Sequence, residues 1–129
     1  DGAATAYISD TDIFGDVLLG DTLPMDSKTS STTRLERQRD GTRRLSEEAG
    51  LMICDTFFQP NEYDPNWGHS RPDDAIQLAS ESGARRVALF HHRPERSDND
   101  LNEIRAIYQE QAPGEIEVLA AHEKQEVVL

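Results

Sequence analysis

From Leu51 onward short apolar runs alternate with amphipathic stretches; before it they do not. Leu51-Met52-Ile53-Cys54 and Val87-Ala88-Leu89-Phe90 are continuous apolar runs, the pattern of strands buried on both faces. Between them Ala75, Ile76, Leu78 and Ala79 recur at helical spacing. Ser70 and Asp73 form a helix-start signature there, Pro72 suits the first turn, and Gly83 closes the segment. Ser97 and Asp100 repeat the capping pattern ahead of Leu101, Ile104, Ile107 and Tyr108. Pro113-Gly114 then turns the chain into a strand over Ile116 to Ala120, and Glu126 to Leu129 reads as a short last strand. Upstream, Ala3 to Ser9 reads as a strand. Asp40 is placed as the cap of a helix through Ala49, which Gly50 ends in the left-handed conformation. Gly15 to Asp40 is rich in Gly, Asp, Pro, Ser and Thr with weak periodicity, which predicts an excursion with one irregular helical stretch.

The order is strand, excursion with helix, strand, helix, strand, helix, strand, strand, which predicts an α/β layer with helices packed on a sheet. The 129 residues suit one domain, and 36% hydrophobic with 29% charged residues favours a folded chain over a disordered one. Apolar residues are nonetheless concentrated after Gly50, and Gly20 to Arg44 holds little to bury. That imbalance, together with a start at Asp1 rather than Met, leads us to expect a piece of a larger domain or a chain that rests on another.

A net charge of −12 argues against sequence-independent binding to nucleic acid. Arg34, Arg37, Arg39, Arg43 and Arg44 form a local exception, read as a solvated face in preference to a phosphate patch. The single cysteine, Cys54, excludes an internal disulfide and a cysteine zinc cage, and its apolar run predicts a buried side chain. No run is long enough to cross a membrane and none reads as a signal peptide, so a cytoplasmic location is expected. A homodimer is compatible with this composition.

Asp10 (with Asp12), Asp55, His69 and His91 (with His92) each fall at the C-terminal end of a predicted strand or in the loop beyond it. In α/β sheets ligands bind outside those ends, so convergence is reasonable. Carboxylates with imidazoles suit zinc, iron or manganese, but no tight ligand spacing is present. Each residue has an alternative: Asp10 as a turn cap, His69 bonded to a neighbouring carbonyl, Asp55 as a plain turn residue or as the carboxylate that orients a histidine. Successive strand residues face opposite ways, so at most one of His91 and His92 faces a site. His122 has no assigned role.

Asn66-Trp67-Gly68-His69-Ser70-Arg71-Pro72-Asp73-Asp74-Ala75, followed by Ala84-Arg85-Arg86-Val87-Ala88-Leu89-Phe90-His91-His92-Arg93-Pro94, resembles the metallo-β-lactamase superfamily. The branch most similar is that of ribonuclease Z and related phosphodiesterases, with a Gly-His-Ser-Thr segment opening a helix and an apolar strand ending in histidine. Tyr7-Ile8-Ser9-Asp10-Thr11 resembles the family's Ser-Gly-Asp-Thr segment, and Leu51 to Phe57 its strand ending in an acidic residue, one further residue and an aromatic. The resemblance covers most of residues 3 to 121, and the four segments stand in the family's order.

The resemblance implies the C-terminal half of an αββα sandwich, with residues 15 to 40 a variable excursion. It implies Asp10 as the carboxylate bridging two metals, His91 as a ligand of the second metal, and His69 as the catalytic histidine assisting the leaving group. The implied cofactor is two divalent ions, zinc first, with manganese or iron as alternatives. The family's main motif, His-x-His-x-Asp-His, is absent: all four histidines lie at 69, 91, 92 and 122. With two direct ligands where a dinuclear centre needs roughly seven, the chain is expected to be inactive alone. An N-terminal half, upstream or as a separate chain, would complete the site. Arg71 and Arg93 replace the family's frequent Thr and Asp and are read as peripheral, Arg93 favouring an anionic substrate. The expected function is metal-dependent hydrolysis of a phosphodiester. The alternatives are a non-catalytic binding or sensor module, and a thioester or lactone hydrolase or di-iron redox protein of the same fold.

Overall fold

The computed structural model describes residues 4–9 and 28–129, with the side chains of the first helix described from Glu36. Asp10, Asp12 and residues 15–27 of the 15–40 excursion lie outside the described residues. Strand β1 (Thr5–Ile8) is followed by helix α1 (Lys28–Leu45), β2 (Leu51–Asp55), α2 (Pro72–Ser82), β3 (Arg86–Phe90), α3 (Asp98–Gln111) and β4 (Glu117–Ala120). A single 3-10 turn, Pro60–Glu62, interrupts the loop between β2 and α2.

The four strands form one parallel sheet in sequential order. Parallel neighbours need crossover connections, and these are right-handed almost without exception. Strands added in one direction with one hand of crossover put their helices on the same side. Residue alternation agrees: Ala6, Ile8, Met52, Cys54, Val87, Leu89 and Val118 join Ala75, Ile76, Leu78 and Ala79 of α2 and Tyr108 of α3 in one buried cluster. The opposite face carries Tyr7, Ile53, Ala88 and Leu119, which lie opposite one another across all four strands. Tyr7 on that face is 54% exposed, and Ile53 and Leu119 are half-buried.

Helix ends follow local chemistry. The Ser97 hydroxyl accepts the Asp100 N–H at 3.3 Å, and Asp100 Oδ2 accepts the Ser97 N–H at 2.7 Å, the reciprocal box expected at α3. Gly83 ends α2 at φ 73°, a left-handed position that costs glycine least. Three expectations need correction. Helix α2 is capped one residue later than predicted: Asp74 Oδ2 accepts the Arg71 N–H at 2.9 Å, and Ser70 is buried, its carbonyl bound by the Phe58 N–H. Asp40 is not a cap but lies inside α1, paired with Arg43 at 3.1 Å and Arg44 at 3.0 Å one turn on, while Glu48, not Gly50, takes positive φ beyond the helix. Glu126 to Leu129 forms no strand; the Val128 carbonyl instead accepts from the Arg86 guanidinium. None of the described helices is long and apolar enough to cross a membrane.

Candidate functional site

Three side chains meet where β2 and β3 end. Asp55 is the last residue of β2, on the face opposite the helices, with Phe90 as its partner in β3. Its carboxylate has 1% of its surface exposed, so its lone pairs must find donors within the protein. Oδ1 accepts the Phe57 N–H at 3.1 Å, two residues on, which turns the chain out of the strand. Oδ2 meets Nδ1 of His69 at 2.6 Å and Nδ1 of His91 at 3.3 Å.

His69 arrives from the loop before α2, behind Gly68 at φ 70°. His91 follows β3 directly and itself adopts φ 58°, uncommon for a side-chain-bearing residue, which ends the strand at Phe90. The Thr56 N–H and hydroxyl, at 2.9 and 3.1 Å from the Phe90 carbonyl, secure this corner. The two imidazoles stand edge to face with centroids 4.9 Å apart. His92 is directed elsewhere, Nε2 bonding the Ala121 carbonyl at 3.2 Å. Burial lowers its pKa, outweighing that bond, with Arg96 and His91 adding repulsion, so the neutral ring serves as an N–H donor. Cys54, next to Asp55, is buried in the core, and desolvation with the adjacent carboxylate pushes its thiol up to about 12.

Possible ligand atoms of Asp55, His69 and His91 all lie within 4.8 Å of one another. One carboxylate and two imidazoles suit zinc, iron or manganese. Metal–ligand bonds of this kind in a tetrahedron set neighbouring ligand atoms about 3.4 Å apart. The 3.3 Å between Asp55 and His91 matches that spacing, but the 2.6 Å between Asp55 and His69 is a short charge-assisted hydrogen bond instead. The donor set fits a metal ion, with His69 held by Asp55 through Nδ1.

Around this triad lies an aromatic wall absent from the sequence reading. Phe57 stacks on His69 (5.0 Å, 28°) and on Trp67 (6.3 Å, 27°), and lies 5.3 Å from His91. The doublet Phe57-Phe58 just after Asp55 and Trp67 just before Gly68-His69 were the available signals. The Arg93 guanidinium lies 5.5 Å from the Phe57 ring centre and 3.5 Å from Glu62. Arg71 clamps buried Asp74 through two bonds of 2.9 and 2.8 Å and stacks on Tyr63. On the other side of His91, a cleft of about 1000 Å³ is bordered by Phe90, His92, Leu101, Ala121 and His122.

No family model matches the chain, and no curated protein does. Among solved structures it is similar to the metallo-beta-lactamase fold protein YhfI from Bacillus subtilis, with a TM-score of 0.50 and 23% identity over 63% of this chain and 32% of that one. This chain has the metallo-β-lactamase fold. A second similar structure is a diphosphatase from the PhnP family, with a TM-score of 0.46 and 18% identity over 70% of this chain and 31% of that one. The chain thus spans about a third of the length of either protein. Of the residues singled out from sequence, the metallo-β-lactamase fold brings His69, His91 and Asp55 together at one rim of the sheet and leaves His92 and His122 outside the triad.

Proposed function

We propose that this chain is the C-terminal part of a metal-dependent hydrolase, a phosphodiesterase completed by further polypeptide. That polypeptide would supply the His-x-His-x-Asp-His ligands, either upstream in the same protein or as a separate chain. The observation that carries this reading is the meeting of Asp55, His69 and His91 at one rim of the sheet. His91 and Asp10 are the residues assigned to hold metal. When bound, a dinuclear centre, zinc first among candidates, would activate water as the nucleophile and stabilise the charge that develops on the phosphate.

This chain's own residues then have separate tasks. Asp55 Oδ2 fixes the ring orientation of His69 through Nδ1. With Nδ1 so engaged, Nε2 is the atom through which His69 meets the leaving oxygen, either donating its proton or binding a phosphate oxygen. An alkoxide leaving from a phosphodiester needs such a proton. Phe57 covers one side of both imidazoles and keeps bulk water from the Asp55 pair.

The test uses the full polypeptide or the assembled complex. Hydrolysis of a diester with an unactivated alcohol leaving group, such as a dinucleotide, should require added divalent metal and fall by about 10²–10⁴-fold in His69→Ala, the range for losing a general acid. An assembly that binds under one equivalent of transition metal, or one whose His69→Ala form hydrolyses the diester at full rate, would overturn the proposal. Metal-dependent cleavage of a thioester or lactone with no diesterase activity would select the other hydrolase reading.

A further inference from the structure

We infer that Trp67 is the specificity-determining residue of this site, and that it selects phosphate esters bearing a planar ring, nucleotides in the first instance. The inference rests on the phosphodiesterase reading for the phosphate end of the ligand and adds the chemistry of the other end. Trp67 is 59% exposed, although large aromatic side chains normally bury most of their surface. Its ring lies nearly parallel to Phe57, which in turn lies nearly parallel to His69. One ring therefore links the exposed indole to the histidine proposed to contact the leaving group.

The platform is built, not incidental. Asp64 Oδ1 accepts both the backbone N–H and the side-chain amide of Asn66 at 2.9 Å, and the Trp67 N–H bonds the Asp64 carbonyl at 3.2 Å. Beneath this turn, Glu62 accepts the Gln59 N–H at 3.1 Å and pairs with Arg96, whose guanidinium also bonds the Phe57 carbonyl at 2.8 Å. Gly68 at φ 70° sets the step between Trp67 and His69. A fixed, exposed indole linked through Phe57 to His69 matches a ligand with a flat π-face at one end and a phosphate at the other. A sugar phosphate or an alkyl phosphodiester has no aromatic ring to stack on the indole face.

Trp67 is the only tryptophan among these 129 residues, so its emission reports on this spot. In the full protein, the difference between wild type and Trp67→Phe isolates that signal. Adenosine 5′-monophosphate should quench it saturably, and ribose 5-phosphate should bind, as followed by calorimetry, without quenching. Trp67→Leu should weaken the nucleotide relative to ribose 5-phosphate by roughly tenfold, the effect of losing one stacked base. The inference is overturned if nucleotide binding leaves the emission unchanged, if the substitution affects both ligands alike, if neither ligand binds, or if Trp67 in the full protein is shielded from acrylamide. Quenching by the nucleotide in a protein that hydrolyses no diester would sink the phosphodiesterase reading and leave the stacking site standing. Diesterase activity with unaltered emission would do the reverse.

Discussion

Asp55 is a buried carboxylate whose charge is compensated by two imidazoles and one backbone N–H. Removing a group that orients a catalytic or metal-bound histidine costs about 10- to 100-fold in activity or metal affinity. Asp55→Asn preserves volume and can still accept the Phe57 N–H, so it should lower turnover of the assembled enzyme by that factor. A thermal melt within a few degrees of wild type would show that the loss is one of orientation, and full turnover in the variant would sink the assigned role. His69 and His91 were legible as candidates because strand ends in α/β sheets are where ligands gather. For Asp55 the sequence left two readings open, a plain turn residue or the carboxylate that orients a histidine: it lies 14 residues from one histidine and 36 from the other, and no sequence-spacing rule links residues that only the sheet brings together. Trp67 escaped for a related reason, since an exposed aromatic in a loop carries no periodic signal.

At the level of elements, legibility followed apolar patterning and caps. Strands β2 and β3 and helices α2 and α3 were readable because continuous apolar runs alternate with segments bearing start and stop residues. Helix α1 was not, because Lys28–Leu45 contains leucine as its only strongly apolar type and has no stripe to detect. Its described side chains contribute mainly one-turn ion pairs, worth a few tenths of a kcal/mol each. The Glu126–Leu129 run is apolar enough for a strand but pairs with none. The box at α3 yields a prediction in pH. Hydrogen bonds from the Ser97 hydroxyl and backbone hold the Asp100 carboxyl below the usual carboxylate range. A carboxylate whose folded pKa is depressed stabilises the fold above its ordinary pKa, and the contribution is lost as pH falls through the lowered value. Amide protection at the start of α3, measured against the intrinsic exchange rate at each pH, should therefore fall on acidification below about pH 4. Asp100→Asn should already exchange faster at neutral pH and show less of that acid dependence. An unchanged acid response in the variant would remove the cap from the account. Gly83 offers a second test: alanine at φ 73° costs roughly 1–2 kcal/mol. Nothing crowds the site to alter that figure, so a denaturant midpoint equal to wild type would contradict the left-handed cap.

For the molecule as a whole, the decisive feature is a parallel sheet with its helices on one side. Sheets of this kind occur almost only with both faces covered, and Tyr7, Ile53, Ala88 and Leu119 form a row across the face that the described helices leave uncovered, with Tyr7 and Phe90 packed edge to face beside it. A second layer over that row is the physical form of the proposed completing half, and it would close the rim where Asp55, His69 and His91 meet. The consequence can be measured at Ile53, central in the row. If another layer covers it, Ile53→Lys in the full protein buries an unpaired charge, a loss of several kcal/mol. Unfolding should then move to lower denaturant and metal-dependent activity should fall with it. Tyr7→Lys, nearer the edge of the row, should show a smaller loss in the same direction. If the face meets water instead, both substitutions belong to the surface class, whose effects stay within about 0.5 kcal/mol. A full protein that tolerates lysine at both positions would have no second layer there, and the metal ligands would have to come from some other direction.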